Sequence, residues 1–85
     1  MAYVYLLVSE KDEKSYVGST NNLEKRFSEH RLGLCKATKY RRPLRLVYQE
    51  EFSDLISART REKFLKTRSG RRELKSIFQK LNIGA

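Results

Sequence analysis

The sequence is poor in the residues that staple or punctuate small folds. It has one cysteine, Cys35, so neither an internal disulfide nor a cysteine cluster for zinc can form within the chain. A reducing compartment, the cytoplasm, is then the simplest setting. There is no tryptophan, one proline (Pro43) and one histidine (His30), and only four glycines. Repeats, low-complexity tracts and flexible linkers are therefore not expected. Long apolar runs are missing too. The longest, Ala2 to Val8, falls far short of the roughly 20 residues of a membrane span. It lacks a basic leader and a small-residue cleavage site and runs into Ser9-Glu10-Lys11-Asp12-Glu13-Lys14, so it does not read as a signal peptide either. Acidic residues are scarce beside basic ones, 10 against 19.

That imbalance is the most informative feature of the composition. A net charge of +9 on 85 residues points to a polyanionic partner. Nucleic acid comes first and an anionic lipid surface second. The basic residues do not form one tail; they recur at Lys25–Arg26, Lys36–Arg45 and Arg59–Arg72. Spread over a folded surface they would track phosphates. Length and the 39% apolar content bound the rest. They fit one domain over residues 1–85 that buries roughly 60–65% of its unfolded surface.

Residues 3–8, Tyr-Val-Tyr-Leu-Leu-Val, are β-prone and apolar on both faces, as in a covered central strand. Residues 9–14 form a polar hairpin loop and 15–19 a second, short strand. Asn21 is placed to cap a helix over 22–32, with Glu24 completing a capping box and Gly33 beyond its end. Its expected core stripe is Leu23, Phe27 and the stem of Arg31. A basic loop over 34–43 leads to a third strand at 44–52, alternating at Leu44, Leu46 and Tyr48. Ser53 or Asp54 caps a second helix over 54–67, which Ser69-Gly70 breaks. A third helix over 70–81 carries Leu74, Ile77, Phe78 and Leu81 at helical spacing. The order ββαβαα predicts an α+β fold, a three-stranded, mainly antiparallel sheet flanked by three helices.

Several residues sit awkwardly in a purely structural scheme. Glu62 shares a helix face with Leu55, Ala58 and Leu65, where an unpaired carboxylate is costly. It needs a cation, which a metal ion, an arginine or a lysine could supply; a buried ion pair with an arginine, or a stripe edge that reaches solvent, fits the same position. Arg26 and His30 stand four apart at the rim of the first helix's apolar stripe. A guanidinium fork suits a phosphate and an imidazole can hold a proton near neutral pH; a surface arginine and a helix-terminal histidine fit the same positions. Tyr5 and Tyr16 fall on adjacent strands, suited to orienting a water or to cross-strand packing. Gly18-Ser19-Thr20 precedes the first helix, where bare backbone and helix N–H groups can approach a phosphate.

Taken together, these residues resemble the GIY-YIG nuclease superfamily. Tyr3-Val4-Tyr5 stands at the first triplet and, after ten residues, Tyr16-Val17-Gly18 at the second. Gly18, Thr20, Leu23, Arg26 and His30 follow in the family's order, and Ala58, Glu62, Leu65 and Lys66 match its glutamate-bearing helix. The resemblance runs from residue 3 to about residue 80 and is greatest to small stand-alone members. It implies the fold already read and a metal-dependent cleavage of phosphodiester bonds. By position, Glu62 would ligate one Mg²⁺ or Mn²⁺ ion as a hard oxygen donor, and Arg26 would clamp the scissile phosphate. Tyr16 would orient or deprotonate the attacking water with support from Tyr5. His30 would assist proton transfer or position the phosphate. Gly18, Thr20, Lys66, Lys39, Arg41 and Arg42 would contact phosphates. Two positions depart from the pattern. Tyr3 replaces the glycine of the first triplet, and no asparagine follows the metal glutamate at the family's usual distance. Arg68, Ser69 and Gly70 occupy that region, and Asn82 comes late.

The implied activity is endonucleolytic hydrolysis of DNA, including branched or structured DNA, with RNA also open. A non-catalytic nucleic-acid-binding module on the same scaffold is the alternative, and a basic adaptor for an acidic protein the third reading. One small domain has little surface for base readout, so selection by DNA shape is expected over selection by sequence.

Overall fold

The apolar stretch near the N-terminus becomes the middle of the molecule. In the computed structural model, which describes residues 1–81, it forms strand β1 (Ala2–Ser9). Strand β2 (Ser15–Thr20), helix α1 (Leu23–Arg31), a single 3₁₀ turn (Lys39–Arg41), strand β3 (Leu44–Phe52), helix α2 (Leu55–Leu65) and helix α3 (Arg68–Lys80) follow. The strands form one antiparallel sheet in the order β2-β1-β3, so the fold is the α+β arrangement, ββαβαα, that the sequence predicts.

β1 is buried on both faces because each face has its own cover. Ala2, Val4, Leu6 and Val8 pack with Val17 of β2 and with Ala58, Leu65, Leu74 and Phe78 of α2 and α3. Tyr5 and Leu7 point the other way, against Leu44, Tyr16 and Leu46 and the α1 stripe Leu23 and Phe27. Arg31 does not extend that stripe: it is exposed, its guanidinium 5.5 Å from the Phe27 centroid. Leu81, just past the end of α3, is 40% exposed.

β3 departs from simple alternation. Leu6 pairs with Tyr48 but Leu7 pairs with Leu46, so Val47 is an extra residue in the ladder. A bulge reverses the parity of everything beyond it. Leu44 and Leu46 therefore join Tyr5, whereas Tyr48 and Phe52 turn to the α2/α3 side.

The helix ends are set by capping chemistry. Asn22, not Asn21, caps α1, its side chain accepting from Lys25 N at 3.1 Å. Glu24 is then one position early for a capping box. At the other end Gly33 takes φ +79°, and Gly33 and Leu34 donate to His30 O and Glu29 O, the double bond of a Schellman cap. Between α2 and α3 the break falls at Lys66-Thr67, earlier than Ser69-Gly70. Thr67 Oγ1 accepts from Gly70 N at 3.1 Å, which starts α3 at Arg68 and draws Ser69 and Gly70 into its first turn. An ion network joins the two helices to β3. Arg61 donates to both oxygens of Glu50, at 2.8 and 3.0 Å, and pairs with Glu73.

Candidate active site

The site straddles the free edge of β2. One half lies on the α1 face of the sheet. Tyr5 pairs with Gly18 across the ladder, and its ring fills the space a Cβ would occupy at Gly18, with Oη 2.3 Å from that position. Gly18 thus admits the Tyr5 ring, while the expected approach of a phosphate meets that ring on the same side. The tyrosine reaches α1, where its Oη lies 2.9 Å from His30 Nε2. His30 Nδ1 in turn lies 2.7 Å from Thr38 Oγ1. Tyr5, His30 and Thr38 are all fully buried. Tyr16, two residues along β2 on the same face, is half-buried; its ring stands 5.3 Å from the imidazole and 6.5 Å from the Tyr5 ring. Arg26, one turn before His30, is about one-third exposed and pairs with Glu29 at 3.2 Å, with its other terminal nitrogen 3.5 Å from Cys35 Sγ.

The other half comes from α2. Glu62 lies at the end of its helix's apolar face, where that face meets the β2 edge. Ser19 Oγ donates to Glu62 Oε1, and Lys66 Nζ lies 2.5 Å from Oε2. The cation that satisfies Glu62 is thus Lys66, one turn on; the neighbouring arginine, Arg61, is taken by Glu50. Lys66 joins the two halves, with Nζ 5.9 Å from the Tyr16 ring centroid. From Tyr16 and Lys66 a groove of about 530 Å³ runs between β2 and α3, bordered by Lys14, Arg71 and Lys75 over an apolar floor.

Burial and charge set the titration of these groups. Burial pushes Tyr5 up to about 12, against the opposing pull of the Arg26 guanidinium. Burial likewise raises Tyr16, with Cys35 adding and Lys66 and Arg26 opposing. Burial first, and the Arg26 charge second, push His30 down to about 4. Both tyrosines are phenols and the imidazole is neutral at physiological pH. His30 therefore makes stability pH-dependent. Its folded pKa lies below the ordinary value of 6.5, so the unfolded chain takes up the proton first. Stability should fall as pH drops from 6.5 towards 4, by about 3 kcal/mol from this group, and level off below. Urea melts of the chain and of His30→Gln across that range check this: the variant should lose most of the slope.

The single carboxylate suits Mg²⁺ or Mn²⁺, which take one or two protein oxygens and fill the remaining positions with water and phosphate oxygens. Among the described residues no three His, Cys, Asp or Glu side chains converge as a closed cage for zinc or calcium would need. Lys66 is half-exposed on a flexible stem, so it can leave Oε2 to a metal ion. No asparagine lies near Glu62 along α3; Asn82 lies outside the described residues.

The outlying phosphate candidates divide. Lys39 is exposed, its Nζ 5.5 Å from the Tyr40 centroid, and with Lys11, Arg31 and Arg42 it lines a basic depression. Arg42 donates to Lys39 O at 3.0 Å and packs on Gly33. Arg41 is a strut: its guanidinium is held by Asp12 at 3.1 Å and Ser15 O at 3.3 Å. Thr20 Oγ1 serves the turn into α1, accepting from Asn22 N at 3.1 Å. Sequence reasoning missed Ser19, although period-two alternation on β2 places it on Glu62's face. It also missed Thr38, which lies in a loop with no periodicity to read.

A Tyr-Arg-His set, with Tyr5 and His30 buried and Tyr16 and Arg26 partly exposed, facing a helical glutamate across a sheet edge, on this topology, defines a class. The profile of the GIY-YIG catalytic domain matches residues 1–75, and the chain belongs to that family, whose general activity is nucleolytic. Within it, the chain is similar to the UPF0213 proteins. It is 46% identical to the one from Staphylococcus haemolyticus over 79 residues, covering 92% of this chain and 95% of that protein. It is 43% identical to the one from Clostridium perfringens over 81 residues, covering 94% and 86%. The solution NMR structure of a UPF0213 protein from Bacillus halodurans superposes with a TM-score of 0.53 at 33% identity, covering 91% of this chain and 85% of that one. No helix among the described residues is long and apolar enough to cross a membrane.

Proposed function

We propose that this chain is a divalent-metal-dependent endonuclease that hydrolyses phosphodiester bonds in DNA, favouring branched or otherwise structured DNA. The observation that carries the reading is the convergence at the β2 edge of Arg26 and the Tyr5–His30 pair from one face and Glu62 from the other, with Tyr16 and Lys66 between them. Glu62 would hold one Mg²⁺ or Mn²⁺ ion, which when bound supplies Lewis-acid polarisation of the phosphate and stabilisation of the leaving oxygen. The Arg26 guanidinium binds the scissile phosphate and offsets its developing charge. Tyr16 stands nearest solvent; as a phenol with a raised pKa it orients the attacking water by hydrogen bonding rather than as a tyrosinate. Tyr5, buried behind it, fixes His30 and the floor of the site. Lys66, Lys14, Arg71 and Lys75 hold flanking phosphates along the groove.

The second reading, a binding module without turnover, is favoured by the missing asparagine together with the net charge of +9. A cleavage assay separates the two. Labelled single-stranded, duplex, flap and four-way-junction DNA are incubated with Mg²⁺, Mn²⁺ or EDTA. Cleavage that needs metal supports the nuclease. Salt-sensitive binding without cleavage in either metal supports the module. In the nuclease case Arg26→Lys should lose about 100-fold or more in cleavage rate, because a point charge does not replace a two-pronged donor on a phosphate. A rate within about threefold of the parent would remove Arg26 from the phosphate clamp.

A further inference from the structure

We propose that Thr38 is a positioning residue of this site, its hydroxyl holding His30 in the tautomer protonated on Nδ1, so that Nε2 accepts the hydroxyl proton of Tyr5. The inference deepens the nuclease reading, on which its catalytic consequence rests.

The geometry is a closed chain of three buried side chains from three parts of the fold. Tyr5 Oη lies 2.9 Å from Nε2 and Thr38 Oγ1 2.7 Å from Nδ1. A neutral imidazole has one N–H and one bare nitrogen, whereas both hydroxyls can donate or accept. Two arrangements satisfy the ring: Tyr5 donates to His30 and His30 to Thr38, or every bond runs in reverse. Arg26 distinguishes them. Its guanidinium, held by Glu29 at 3.2 Å and lying 3.5 Å from Cys35 Sγ, is the cation that acts on Tyr5, with Tyr16 and Cys35 the other titratable groups around that phenol. A cation attracts the oxygen lone pairs and repels the hydroxyl proton, which is left facing Nε2. The ring proton then sits on Nδ1 and is received by Thr38.

Thr38 is built to stay there. Its N–H donates to Cys35 O at 3.1 Å and its carbonyl accepts from Arg41 N at 2.9 Å, so the turn fixes its backbone on both sides. Tyr5 is fixed by the middle of β1 and by the bare backbone of Gly18. The ring cannot turn away from either partner without leaving a buried polar atom bare. The consequence is directional. Tyr5 gives its proton inward and turns its oxygen lone pairs towards the Arg26 guanidinium, which Glu29 holds from the other side at 3.2 Å.

The chain has a single histidine, so the imidazole ¹⁵N spectrum of uniformly labelled protein at neutral pH reports on His30 alone. The parent should show a protonated Nδ1 and a bare, pyridine-like Nε2. Thr38→Ser, which keeps the hydroxyl, should show the same pattern and cleave within about threefold of the parent. Thr38→Val, which keeps the shape and removes the acceptor, should move the tautomer ratio at least tenfold towards Nε2–H. Its kcat should fall about tenfold or more with little change in DNA affinity. A parent spectrum with the proton on Nε2 overturns the proposal, as does a Thr38→Val spectrum identical to the parent's. If Thr38→Val does not fold, the parent and Thr38→Ser spectra still decide. If no DNA is cleaved in any metal, the nuclease reading fails while the spectra separately decide what Thr38 does.

Discussion

Glu62→Gln should abolish metal-dependent cleavage while DNA binding holds or tightens. Glutamine keeps the side-chain length and can still accept from Ser19 through its amide oxygen. It removes the one anionic oxygen pair that the site offers a divalent ion. Loss of that charge should cost about 100-fold or more in rate, since metal polarisation of a phosphate supplies several kcal/mol of barrier lowering. Binding moves the other way. The substitution removes a negative charge beside the phosphate path and frees Lys66 from its 2.5 Å pairing. Affinity measured by anisotropy should rise or stay level, and the slope of log affinity against log salt should not shrink. Cleavage at the parental rate would remove Glu62 from the metal site. Loss of cleavage together with loss of binding would point to a folding defect, which circular dichroism would show.

Gly70→Ala should be strongly destabilising. Alanine is normally the better helix residue by about 1 kcal/mol, so helix propensity predicts a gain. Packing predicts the opposite. A Cβ at position 70 would sit 1.9 Å from Phe64 O and 2.5 Å from Leu65 Cα, both backbone atoms that no rotamer change can move. Relief requires α3 to withdraw from the end of α2, which would open the contacts of Leu74 and Phe78 with the sheet. The expected cost is about 3 kcal/mol, or a fall in Tm of roughly 15 °C for a domain of this size. Thermal melts check the sign first. A Tm equal to or above the parent's would mean that α3 shifts freely and that the close approach of the two helices is not required.

The partly exposed network of Arg61, Glu50 and Glu73 shows why some of this was out of reach of sequence alone. All three are ordinary surface residue types, and their meeting depends on where β3 lies relative to α2 and α3. The Val47 bulge is a similar case. The sequence reads as alternating at Leu44, Leu46 and Tyr48, and a single extra residue in the ladder sends Tyr48 to the opposite face from Leu46. Glu62 was legible in part: its place among Leu55, Ala58 and Leu65 announced a carboxylate needing a metal, an arginine or a lysine, but not that Lys66 is the one that supplies the charge.

Local chemistry, then, was sufficient for what depends on neighbours in the chain. Residue composition, hydrophobic periodicity and capping signals together placed all three strands and all three helices. The spacing of Tyr5, Tyr16, Gly18, Arg26, His30 and Glu62 carried the family, because residues at fixed offsets on regular elements land in fixed directions. The tertiary structure decided what depends on distance through space. It set the inward turn of Tyr5 over Gly18, the burial that keeps His30 neutral, and the partnership of His30 with Thr38. It also split the basic residues into groove-lining cations and struts such as Arg41. The physical reason is that burial, charge proximity and hydrogen-bond partnership are set by how elements pack on the sheet, and no pattern within one element encodes the partner it will meet.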